Sequence, residues 1–172
     1  GYIGQRLIQF LLPLNHQLYC CVRNRDRFEA EHIHPNIHVI EVDFLEPGTT
    51  LLPVAIDVAF YLIHSLAAST SSFQAQEEQC AINFNRLAAA TQLQQVIYLG
   101  GIVNEDVLSK HLASRLAVET ILKGGTIPVT VLRAGIIVGS GSASFEIIRD
   151  ITEKLPFMIT PKWLNTKCQP IA

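Results

Sequence analysis

The run Asp57-Val58-Ala59-Phe60-Tyr61-Leu62-Ile63 follows one acid with an unbroken series of apolar, mostly β-forming residues. A half-exposed strand or an amphipathic helix would interrupt such a run with polar residues, so the pattern predicts a central parallel strand covered on both faces. A parallel strand constrains everything around it. Its neighbours cannot be reached through a tight hairpin; each needs a crossover of a dozen or more residues, usually a helix.

The remaining sequence supplies those crossovers. Ile3, Leu7, Ile8, Leu11 and Leu12 fall on one face of a helix over Tyr2 to Leu12. Pro13 and Asn15 then provide a stop and a residue tolerant of left-handed backbone. Leu18-Tyr19-Cys20-Cys21-Val22 and His38-Val39-Ile40-Glu41-Val42 read as strands. A helix over Phe73 to Gln92 places Phe73, Cys80, Phe84, Leu87 and Ala88 on one side. Strand Gln95 to Leu99 and a helix over Ser109 to Lys123, stopped by Gly124-Gly125, come next. Strand Val129 to Arg133 and a last helix over Ser144 to Leu155 complete the series. Strand and helix alternate throughout, which predicts one α/β domain of three layers over residues 1–172.

Composition narrows the function classes. At 172 residues the chain has the length of one domain. Hydrophobic residues make up 49% and charged residues 16%, ample for a core and too little charge for a disordered chain. The net charge of −2 gives no electrostatic reason to bind a polyanion, so no nucleic-acid partner is expected. The apolar stretch Leu51 to Ala68 carries Pro53, Asp57 and His64, which argues against a membrane span. Cys20, Cys21, Cys80 and Cys168 form no C-x-x-C pair. Reduced thiols in a cytoplasmic protein are the simplest reading. The chain opens on Gly1 with a patterned helix already under way and stops at Ala172 without a polar tail, so a piece of a longer polypeptide is expected.

Gly1-Tyr2-Ile3-Gly4 leading into a helix has the form of the second half of a glycine-rich dinucleotide turn. Such a turn lets backbone approach a pyrophosphate, and the free N–H groups of the helix face its charge. Arg23 follows about 20 residues on, where the partner of the adenosine ribose belongs. An acid there would accept the 2′-hydroxyl of NAD, whereas Arg23-Asn24-Arg25 offers guanidinium groups suited to a 2′-phosphate. NADP is therefore favoured over NAD, with a solvated basic turn as the alternative. Asp43, in Val42-Asp43-Phe44, could meet the adenine edge or cap a helix. His64-Ser65 and Gly100-Gly101 end their strands on the same rim, where bare glycines suit either a nicotinamide or a plain turn.

These segments, with Tyr61-Leu62-Ile63-His64-Ser65, Tyr98-Leu99-Gly100-Gly101 and Leu132-Arg133-Ala134-Gly135-Ile136-Ile137-Val138-Gly139, resemble the atypical short-chain dehydrogenase/reductases. The likeness is to the NmrA-like and nucleoside-diphosphate-sugar-epimerase-like NAD(P)-binding proteins of bacteria, and it runs the whole length. Leu155-Pro156-Phe157-Met158-Ile159-Thr160-Pro161-Lys162-Trp163 is similar to a subgroup whose members continue into a further C-terminal region. The resemblance implies a Rossmann-type doubly wound parallel sheet in three α/β/α layers. It also implies a further strand and glycine just ahead of Gly1; without that central strand the sheet would be split.

The resemblance assigns cofactor contacts to Gly1, Tyr2, Ile3, Gly4, Arg23, Asn24, Asp43, Phe44, Ile63, His64, Ser65, Gly100, Gly101, Arg115, Ala134 and Gly135. Family members use a Tyr-x-x-x-Lys pair, one helical turn apart. Here the matching residues are His111 and Arg115. His111 can act as general acid or base near neutrality, and Arg115 can hold the nicotinamide ribose. A solvated helix start capped by Ser109 is the alternative for this pair. The usual upstream serine gives way to Gly100 or Gly101, unless Ser65 or Ser109 replaces it. Asn83 matches a position where relatives often carry Asn, although Asn is also common on helix surfaces. His32-x-His34 with His38 lies in a loop without a companion Cys, so no metal is expected. Trp163 is expected to be buried packing. The expected activity is a reductase or epimerase-like oxidoreductase on a small organic substrate, with hydride transfer at the rim of His64-Ser65, Gly100-Gly101 and Ala134-Gly135-Ile136. The rival is a non-catalytic NADP-binding sensor or assembly module.

Overall fold

In the computed structural model, residues 1–28, 34–64, 73–103, 109–154 and 169–171 are described. Ser65, His32 and the segment from Leu155 through Trp163 lie outside them, so the expectations placed there are left aside. Helix α1 (Tyr2–Leu11) runs into a single 3₁₀ turn over Leu12–Leu14, and Asn15 closes it in the left-handed region at φ 62°. Strands β1 (Leu18–Val22) and β2 (Ile37–Glu41) follow, then β3 (Val58–Tyr61) and helix α2 (Phe73–Ala88). β4 (Gln95–Gly101), α3 (Lys110–Lys123), β5 (Val129–Ala134) and α4 (Ala143–Lys154) complete the order.

Every strand pair is parallel. The strands form two sheets, β1-β2 and β3-β4-β5. One continuous sheet was the expectation for the intact fold, and a split the expectation without a central strand; β1 and β3 each have one open edge among the described residues. The reading of β3 as covered on both faces needs correction. Val58 and Phe60 are exposed, and β4 is the strand that alternates between fully and partly buried residues along its whole length. β4 has strands on both sides and α3 packed over it, whereas β3 is an edge strand among the described residues.

Apolar and aromatic contacts hold the larger half together. Val96, Tyr98, Val118 and Leu122 are almost completely enclosed. Tyr61 meets Phe84 edge-on at 5.1 Å and Tyr98 at 6.0 Å, and Phe44 tilts against Phe84 at 5.9 Å, favourable geometries for aromatic quadrupoles. Burial pushes the Tyr98 phenol up to about 12, so it stays a neutral donor.

Polar residues lock the two helices that cover this sheet. Ser114 Oγ donates to Glu77 Oε2 at 2.5 Å with both side chains buried, and Asn85 Nδ2 donates to Ile121 O at 2.7 Å. Gly124 ends α3 in right-handed backbone, and at Gly125 a Cβ would meet the Asn85 amide at 2.9 Å. The glycine pair thus stops the helix partly by making room for Asn85. Asn83 is buried too, which excludes the helix-surface alternative for it. Its Nδ2 donates to Phe44 O at 2.8 Å and Leu45 O at 3.1 Å, fastening the loop after β2 to α2.

Candidate functional site

A cleft of about 1660 Å³ opens between the two sheets and reaches the carboxyl ends of their strands. That rim is where ligands of open parallel sheets bind. Gly1, Tyr2, Ile3 and Gly4 line it from the start of α1. Gly1 is the N-cap and provides no side-chain acceptor for the first free N–H groups, so the positive end of the helix dipole is uncovered there. A Cβ at Gly4 would lie 4.0 Å from Leu62 Cδ1, so there is room for one here without a clash. Tyr2 also buttresses the opposite wall: a Cβ at Gly139 would collide with its hydroxyl. Arg6 lies 5.5 Å over the Tyr2 ring and donates to Ser140 O at 3.2 Å.

The tip of β1 supplies Arg23 and Asn24 to the same cleft. Asn24 Oδ1 accepts from Asp26 N at 2.8 Å, and Arg25 Nη2 donates to Val39 O at 2.6 Å, so these two neighbours shape the turn. Arg23 is exposed and makes no hydrogen bond or ion pair among the described residues. Asp43 and Phe44 line the cleft beyond β2. Asp43 Oδ1 accepts from Leu45 N at 2.9 Å, an Asx turn in place of a helix cap. The far end is lined by Ile63, His64, Gly100, Gly101, Arg115, Ala134 and Gly135.

His64 and Arg115 meet there: Arg115 Nη1 donates to His64 Nε2 at 3.0 Å and to Leu99 O at 3.3 Å. Tyr98 reinforces the arrangement by donating its hydroxyl to Arg115 O at 3.1 Å. Burial, assisted by the adjacent guanidinium, lowers the His64 pKa to about 4, so the imidazole is neutral at physiological pH. Gly101 brings bare backbone against α3. A Cβ there would lie 2.7 Å from Leu112 Cδ2 and 3.6 Å from Arg115 Cδ, so a side chain at this position requires the end of Leu112 to move aside.

His111 is elsewhere. It is exposed, is absent from the cleft lining and packs edge-on against Phe73 at 5.3 Å. Ser109 Oγ accepts from Leu112 N at 3.3 Å, the cap expected under the alternative reading of this helix start. The paired thiols are both raised, Cys20 by burial and the more exposed Cys21 to about 11 by burial and the neighbouring Cys20, which disfavours the thiolate at either. The contact that sequence reasoning missed is His64 with Arg115, 51 residues apart. Both residues had been singled out, but nothing local announces that they touch.

No family model and no curated protein matches the chain. Solved structures do. The chain is similar to the Bordetella bronchiseptica enzyme WbmG in complex with NAD and UDP, at 17% identity and a TM-score of 0.61, covering 81% of this chain and 51% of that one. It is similar to UDP-glucuronic acid 4-epimerase from Bacillus cereus in complex with NAD, at 18% identity and a TM-score of 0.66, covering 91% and 61%. It is similar also to the oxidoreductase ylbE from Lactococcus lactis, at 15% identity and a TM-score of 0.64, covering 83% and 68%. The chain spans between 51% and 57% of the length of the two WbmG structures it matches. Parallel strands, crossover helices and these structural likenesses together show that the chain has the Rossmann-type α/β fold that these epimerases and this oxidoreductase share.

Proposed function

We propose that the chain is the NAD(P)-binding domain of an oxidoreductase, reductase or epimerase-like, that prefers NADP and acts on a small organic substrate. The observation that carries the reading is the uncovered N-terminus of α1 at the mouth of a cleft that also holds Arg23 at one end and Arg115 at the other. A dinucleotide diphosphate fits against the first helical N–H groups. Its adenosine 2′-phosphate then lies within the reach of Arg23, and its nicotinamide end extends toward His64, Gly100-Gly101 and Ala134-Gly135. The NAD-bound neighbours WbmG and UDP-glucuronic acid 4-epimerase support the choice of ligand class. The same reading puts a further parallel strand, followed by a glycine, ahead of Gly1. Its support is that the open edges of β1 and β3 line the same cleft as Gly1. Reduced free thiols at Cys20, Cys21 and Cys80 fit a cytoplasmic setting.

Isothermal titration of the intact polypeptide with NADPH and NADH tests this. Tight NADPH binding is expected. Loss of a charge-assisted hydrogen bond is worth about 1.5–3 kcal/mol, so Arg23→Ala should weaken NADPH roughly 10- to 100-fold. NADH should change little. Equal losses for the two would remove the 2′-phosphate assignment, and no binding of either would remove the dinucleotide reading.

One observation favours a second reading. His111, the residue matching the family's proton donor, stands outside the cleft beside Phe73. Without a donor there, the domain serves as a non-catalytic NADP-binding sensor or assembly module that reports to a partner. A screen of aldehydes, ketones, quinones and sugar nucleotides separates the two. Substrate-dependent oxidation of NADPH supports the enzyme, and tight binding without turnover supports the sensor.

A further inference from the structure

The two lips of the cleft come from distant parts of the chain. Tyr2 and its neighbours at the start of α1 form one; residues 134–137, at and past the end of β5, form the other with Ser142. Arg6 Nη2 donates to Ser140 O at 3.2 Å and so ties the two lips together just outside the lining. Arg6 and Ser140 are both exposed, and a single hydrogen bond in water is readily exchanged for bonds to solvent. Beyond that bond the chain forms one piece. Ser142 N donates to Gly139 O at 2.8 Å, Phe145 N donates to Ser142 Oγ at 3.3 Å, and Gly141 N donates to Glu146 Oε1 at 3.1 Å, which joins the turn to α4. α4 is held by little else among the described residues: Ile147, Ile148 and Ile151 are exposed, and Arg149 and Lys154 pair with acids of the same helix. On the near side, Val138 N donates to Ile171 O at 2.8 Å and Ile171 N to Ile136 O at 2.9 Å, which fixes the chain just before Gly139. A fixed end, a stiff flap and one weak fastening are the parts of a hinge with a latch.

We propose that residues 139–154 form a hinged lip of the cleft and that Arg6 is the latch that holds it closed, released each time a ligand enters or leaves. The inference rests on the dinucleotide reading above for the identity of the ligand and adds how the site is entered. The Tyr2 ring, 5.5 Å beneath the guanidinium, keeps Arg6 at its post. A latch that touches no ligand acts equally on the free and the loaded site. Removing it raises the open fraction of both, so entry and exit quicken together while the dissociation constant stays the same. A group that touches the ligand behaves differently, since losing it quickens exit alone.

Stopped-flow binding of NADPH to the intact polypeptide reads both rates. Arg6→Ala should raise association and dissociation by about 2- to 5-fold each, the worth of one exposed hydrogen bond from a charged donor, and leave their ratio unchanged. Arg6→Lys, which keeps a cationic donor, should bring the rates back toward wild type. Hydrogen exchange without ligand supplies a second measurement: Arg6→Ala should quicken the amides of residues 139–146 and leave those of β4 as they were. Faster dissociation with slower or unchanged association would overturn the latch, because it marks Arg6 as a cation that attracts or contacts the ligand. Unchanged rates would overturn it too, as would unchanged exchange over residues 139–146. Should wild type bind no dinucleotide, the parent reading falls by itself, and the exchange comparison then decides the latch: quickening supports it and no change overturns it.

Discussion

The two sheets differ in what covers them. In β3-β4-β5, the middle strand buries Val96, Tyr98 and Gly100 in alternation, and α3 closes over it with α2 packed against α3. In β1-β2 no strand residue is fully buried. The smaller half joins the core through Val42 and Phe44, just past β2, and through the Asn83 bridge to that loop. Equal strand propensity therefore does not mean equal stability: cover from helices and a strand on each side decides where the free energy resides.

Leu122→Ala should show the contrast most strongly. A buried leucine truncated in a packed core costs about 2–5 kcal/mol, whereas Tyr19→Ala on the exposed face of β1 should cost under about 1 kcal/mol. Urea unfolding of both variants measures the difference, and comparable losses would refute the ranking. Asn83→Ala comes next. It strands two carbonyl acceptors and should cost roughly 1–3 kcal/mol. Hydrogen exchange should quicken in residues 43–45 while β4 stays protected; uniform quickening would mean that the two halves open as one.

A smaller effect concerns pH. His64 has a folded pKa of about 4, below its ordinary 6.5. Between those values the unfolded chain binds a proton that the native chain refuses, so stability falls as pH drops from 6.5 toward 4. Above pH 6.5 the imidazole is neutral in both states and contributes no slope. His64→Asn should flatten the melting-temperature profile across that window relative to wild type, and an unchanged profile would contradict a buried, neutral imidazole. Lys154→Ala should have the least effect. Its i,i+4 pair with Asp150 at the exposed end of α4 is worth about 0.3–0.5 kcal/mol at most.

Local periodicity was enough to read most elements within a few residues. It located α1, β1, the Ser109 cap and the left-handed Asn15, because each depends on neighbours close in sequence. β3 was misjudged because an apolar run reports how much cover a strand is built for, and says nothing of the cover present. Glu77 escaped, and the burial of Asn83 stayed open, because polar residues on a helix look alike whether water or a partner satisfies them; their partners, Ser114 and Phe44, are more than 35 residues away. The site was legible as a set of rim positions. Which histidine lines the cleft was not, since the turn of α3 that carries Arg115 toward the rim sets His111 against Phe73 instead.

The bare backbone at Gly101 also limits redesign. A hydroxymethyl group installed there would meet the end of the Leu112 side chain first and rest at ordinary contact distance from the Arg115 stem. Admitting the alcohol therefore ties position 101 to the rotamer of Leu112, three residues ahead of the arginine that holds His64.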